Sequence, residues 1–68
     1  MSPFETIAKE EPIMKFFTWG HLPMKLQHVS GPFGDLALRV CDLPRSAERS
    51  VALRKLLEAK DAAVRAAL

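Results

Sequence analysis

From Ala47 to Leu68 the chain contains no glycine and no proline, and Ala, Leu, Lys, Arg and Glu fill most positions. Such a run of strong helix formers predicts one unbroken helix, and everything before it has to fit around that rod. Ser46, just after Pro44-Arg45, is placed to cap its first free amides. At about 100° per residue, Ala52, Leu53, Leu56, Leu57, Ala59, Ala63, Val64, Ala67 and Leu68 gather on one broad side. That side needs a partner. Arg54, Glu58, Asp61 and Arg65 fall opposite, where Arg54 with Glu58 and Asp61 with Arg65 stand one turn apart as expected ion pairs. Lys60 is the misfit, because it falls inside the apolar side and must either snorkel to water or meet a polar partner.

Length limits what can hold this helix. With 68 residues the chain forms one small core, which by itself is marginal. The single Cys41 rules out an internal disulfide, so its thiol is expected to be buried and apolar, and self-association is the expected remedy. Ten basic and eight acidic residues are mixed along the chain for a net charge of +2, a weak footprint for duplex nucleic acid, which calls for a concentrated basic face. No apolar run approaches a bilayer span or a signal-peptide core. The expectation is a soluble intracellular protein.

Upstream, Ser2-Pro3-Phe4-Glu5 reads as a helix start with a capping box. The resulting short helix, from Met1 to about Glu11, ends at or before Pro12. Ile13 to Trp19 is β-branched and aromatic but has no second strand to pair with, so an extended arm is expected. In it, Phe16 is assigned to plugging the end of a helical hairpin, while Trp19 offers either another plug or a flat platform for a base. Leu22, Leu26, Val29, Phe33, Leu36, Val40 and Leu43 then repeat at spacings of four and three, a seam of coiled-coil type. Pro32 interrupts it, which predicts two collinear helical pieces, from about Pro23 to Ser30 and from about Pro32 to Cys41. A short connection from Asp42 to Ser46 turns the chain back. The expected fold is all-α: an antiparallel helical hairpin over residues 16–68, preceded over residues 1–15 by a short helix and linker, and assembled as a symmetric homo-oligomer.

The chemistry points to binding. No nucleophile elbow, phosphate loop or Cys/Ser–His setting is present, so no enzyme and no cofactor are expected. His21, His28 and Cys41 lack the spacing of a zinc site, and no metal is expected either. An aromatic arm with Arg45, Arg49, Arg54 and Arg65, and the orphan amides at the start of the second long helix, supply what bases and phosphates need. In one protomer these parts are scattered; in a symmetric oligomer they can converge.

Ser46-Ala47-Glu48-Arg49-Ser50-Val51-Ala52-Leu53, continuing through Lys55, Leu56 and Glu58, resembles the second-helix motif of the hairpin domain shared by phage anti-CBASS and anti-Thoeris sponge proteins. Phe17-Thr18-Trp19-Gly20-His21 resembles the aromatic segment ahead of their first hairpin helix. The resemblance covers roughly Phe16 to Leu68 and leaves the helix from Met1 to Glu11 outside. It implies a non-enzymatic sponge, a homo-oligomer and by analogy a hexamer, that sequesters cyclic di- or trinucleotide immune signals in the cytoplasm of the infected bacterium. By the same resemblance Trp19 matches the aromatic position on which a cyclic dinucleotide stacks, flanked by Phe17 and His21. Arg65, with Arg54 and Ser50 as companions, matches the basic helix position that lines a trinucleotide site. Ser30 and Gly31 stand where a basic phosphate partner is expected, so either Lys25 or Arg49 takes that role or the ligand differs. The alternative function is a small helical adaptor that binds another protein.

Overall fold

The computed structural model describes residues 3–68, which fold as a helical hairpin with an N-terminal segment packed on one flank. Helix α1 is Pro3–Ile7, a 3-10 helix follows over Pro12–Phe17, and the hairpin consists of α2 (Met24–Val40) and α3 (Ala47–Ala67). Among the described residues there is no strand, and no helix is long and apolar enough to cross a membrane.

The long second helix is as the residue run predicts. Ser46 is its N-cap, with Oγ accepting from the Arg49 amide at 3.1 Å. The upstream elements depart from expectation. Helix α1 closes after Ile7, because the amides of both Glu10 and Glu11 turn onto the Ile7 carbonyl, at 3.0 and 2.9 Å. The capping box assigned to Ser2 and Glu5 lies outside the described residues.

The expected extended arm is instead helical. Pro12 opens a 3-10 helix whose first turn is closed by Met14 N–H donating to Glu11 O at 3.0 Å. With three residues per turn, Met14 and Phe17 stack on one side, and both are completely buried. Phe16, assigned by sequence to the hairpin plug, points the other way and is 54% exposed. Phe17 is the plug.

Helix α2 is also continuous, not two pieces, with Pro32 in its interior. The missing Pro32 amide leaves the His28 carbonyl without its helical donor. Both residues are exposed, so water can serve that carbonyl and the break is tolerated. The side that α2 turns to the core is made of small residues, Ser30, Gly31, Gly34 and Ala37. Trp19 lies over them: a Cβ on Gly31 would stand 3.6 Å from the indole, and one on Gly34 only 2.9 Å from it and 3.1 Å from the Phe17 carbonyl oxygen.

Every element contributes to one core of Phe4, Met14, Phe17, Ala37 and Leu53. The expected division between residues 15 and 16 therefore falls inside the 3-10 helix, between two side chains that share this core. Arg49 ties the parts together. Its Nη1 donates to the carbonyls of Cys41 and Leu43, both at 2.9 Å, and its Nη2 meets Glu11 Oε2 at 2.7 Å. Arg45 adds a bond from Nη2 to the Glu10 carbonyl at 2.7 Å. The α3 surface pairs are Lys55–Glu58 at 3.9 Å and Lys60–Asp61 at 2.7 Å among the described residues, in place of the expected Arg54–Glu58 and Asp61–Arg65. Lys60 is thus satisfied by a polar partner while largely covered.

Beside Arg49, burial pushes the Cys41 thiol up from its ordinary pKa, with the guanidinium opposing that shift. The half-buried thiol is accordingly expected to alkylate more slowly at mildly alkaline pH in the native protein than in urea, because less of it is thiolate; equal rates would show that it is not shielded. Arg49→Ala strands the Glu11 carboxylate and two carbonyls, and is expected to cost about 3–5 kcal/mol in urea unfolding. Gly34→Ala should destabilise by about 1–3 kcal/mol through overpacking, whereas Gly31→Ala, with room for its methyl, should stabilise by up to about 1 kcal/mol.

Candidate functional site

The hairpin brings the C-terminal half of α3 back against the 3-10 helix and the turn that follows it. Between them lies an open groove of about 390 Å³ lined by Lys15, Phe16, Thr18, His21, Lys60 and Arg65 among others. His21 and Arg65 were both expected site residues, and here they share one hollow although they lie far apart in sequence. The groove carries the cations Lys15, Lys60 and Arg65 against a single carboxylate, that of Asp61, so its field favours an anion. The exposed Phe16 ring, with Lys15 Nζ 5.2 Å from its centroid, supplies a flat apolar face beside those charges. Thr18 is turned back, its hydroxyl donating to the Lys15 carbonyl at 2.7 Å, which holds the bend that presents both Lys15 and Phe16.

Trp19 lies elsewhere. It borders a second hollow, of about 370 Å³, with Met24, Gln27, His28, Pro32 and Asp35. One ring face is occupied by the glycine side of α2, and the indole N–H is buried without a hydrogen-bond partner. Such an orphan donor costs about 1–3 kcal/mol unless something accepts from it. The turn at Gly20 is held by Gln27, whose Nε2 donates to Leu22 O at 2.7 Å and to Gly20 O at 3.3 Å.

The remaining expected residues separate into two groups. Phe17 is entirely inside the core and is withdrawn as a ligand contact. Arg49 is only 9% exposed and its guanidinium is committed to Glu11 and to two carbonyls, so its role is structural rather than that of a free phosphate partner. Ser50 is exposed and borders a small hollow of about 220 Å³ together with Glu10, Glu11, Arg45 and Arg49, where two carboxylates balance two guanidiniums and leave no net charge to attract an anion. Lys25 and Arg54 are exposed and line none of these hollows.

Sequence reasoning missed Lys15, Phe16 and Lys60. Lys60 carried a signal, as the one charge on the apolar side of α3. Phe16 carried none, because the choice between two adjacent phenylalanines is made by the three-residue turn of a helix that its residues do not announce. Among the described residues no cluster of three or more His, Cys, Asp or Glu side chains is placed to hold a metal ion. Comparison of the chain with protein families, with characterised proteins and with solved structures gives no match.

Proposed function

We propose that this chain is a non-enzymatic sponge that binds cyclic oligonucleotide immune signals, working as a symmetric homo-oligomer, by analogy a hexamer, in the cytoplasm of a phage-infected bacterium. The resemblance of Ser46–Leu53 and Phe17–His21 to the sponge hairpin supplies the ligand class. The observation that carries the reading is the groove, where Lys15 and Arg65, with Lys60 held to Asp61, border one hollow together with the exposed Phe16 side chain. A cyclic nucleotide needs both: cations for its phosphates and a flat surface for a base. Arg65, assigned to trinucleotide capture, keeps that assignment, with His21, Lys15 and Phe16 as its neighbours in place of Ser50 and Arg54. Trp19 remains the candidate for a dinucleotide, as the aromatic residue bordering the hollow of Met24, His28 and Asp35.

Exposed Leu36, Leu43 and Val51 favour the second reading, a helical adaptor for another protein. The two differ in one measurement. A ligand that binds only the folded state raises the melting temperature by mass action, so a panel of cyclic di- and trinucleotides should contain members that raise it; an adaptor responds to none.

Calorimetric titration of the same panel is expected to show Arg65→Ala and Lys15→Ala each weakening capture by roughly 10- to 100-fold, the loss of one charge-assisted hydrogen bond. Phe16→Ala should weaken it by about the stacking energy, ~1–3 kcal/mol, with the helical signal unchanged. Heat and melting shifts absent across the whole panel would remove the sponge reading.

A further inference from the structure

We infer that the flank of the hairpin opposite the N-terminal segment is a self-association face, on which the bulky seam of α2 from one copy lies along the alanine stripe of α3 from a second copy. This rests on the homo-oligomer part of the preceding reading and is independent of any ligand.

The seam residues Leu26, Val29, Phe33, Leu36 and Val40 sit about 100°, one residue step, around α2 from the buried stripe of Ser30, Gly34 and Ala37. The small residues take the core position and leave the large ones beside it. Leu36 is 48% exposed, and Leu26, Val29, Phe33 and Val40 are only half-buried. Of these, Val40 alone packs against the buried core cluster among the described residues. On the same flank α3 presents Ala52, Leu56, Ala59 and Ala63, of which Ala52 and Ala59 are exposed. The N-terminal segment covers the other flank: Trp19 lies on Gly31 and Gly34, and Lys15 and Phe16 face Asp61 and Arg65.

Three observations name a second copy as the occupant. The seam and the alanine stripe carry no charged residue of their own, the charges that border them being Lys25 on α2 and Glu48 and Lys55 on α3, whereas Arg54, Asp61 and Arg65 project from the opposite side of α3. The four-three spacing from Leu26 to Val40 is the pattern of a helix that packs against another along its length. The face is also self-complementary: a ridge of large side chains runs beside a groove of alanines, and a two-fold axis parallel to the hairpin sets each ridge over the other copy's groove. Every helix then runs antiparallel to its neighbours in a four-helix bundle. A core of five buried apolar side chains among the described residues gives the chain reason to complete it in this way.

Light scattering over a concentration series tests the face directly. Wild-type protein is expected at a mass at least twice the 7.6 kDa of one chain. Leu36→Glu and Ala59→Glu, both at exposed positions, should return it to the monomer mass with helical circular dichroism retained, while His28→Glu on the other side of α2 should not. A monomeric wild type, or assembly that survives both substitutions, overturns the proposal; a monomer would leave the face to a different protein. Should either variant unfold, cysteine pairing decides: with Cys41→Ser in both, a mixture of Leu36→Cys and Ala52→Cys chains should form the mixed disulfide over either symmetric one. Predominant Leu36→Cys self-linkage would overturn the ridge-over-groove arrangement. Nucleotide capture lost with assembly intact speaks against the ligand reading alone.

Discussion

The guanidinium of Arg49 is the interaction on which the rest of the structure depends. It sits in the first turns of α3, yet two of its bonds go to the carbonyls of Cys41 and Leu43 just beyond α2, where a helix leaves acceptors unsatisfied and its dipole attracts a cation. The third goes to Glu11, ahead of the 3-10 helix. One side chain therefore fixes the angle at which the hairpin closes and the place where the N-terminal segment docks. Paired in this way it can be buried; removing either member would leave a charge that the small core has no means to solvate.

The second constraint is the smallness of the α2 core stripe. Ser30, Gly31, Gly34 and Ala37 let α3, Trp19 and Phe4 approach closely. Close approach compensates in part for a core that holds few large side chains, because dispersion falls steeply with any gap. The same choice displaces the large seam residues to a flank that one copy of the chain does not cover, so the packing of the protomer and its proposed assembly have a common origin.

The groove between the 3-10 helix and α3 follows from these two features. Burying Met14 and Phe17 one 3-10 turn apart turns Lys15 and Phe16 outward, toward the side on which the hairpin has laid Lys60 and Arg65. Cations and an aromatic face are thus collected by core packing rather than by a contiguous motif. Arg65 and His21 were expected from the sequence through a resemblance of their segments, and the hairpin brings both to this groove. Lys15 and Phe16 could not, since their exposure is decided by the neighbour that is buried.

The sequence by itself determined the long α3 helix with its Ser46 cap, the turn back after α2, the all-α character and the misfit at Lys60, since these depend on local propensity, capping and the periodicity of apolar positions. Only the tertiary structure decided that Pro32 is carried inside one helix, that Ile13 to Phe17 coil instead of extending, that Phe17 rather than Phe16 is the plug, and that Arg49 serves the fold. Each of those outcomes depends on which partner, from a distant part of the chain or from solvent, satisfies a given backbone group or fills a given volume, and a one-dimensional pattern carries no information about that partner.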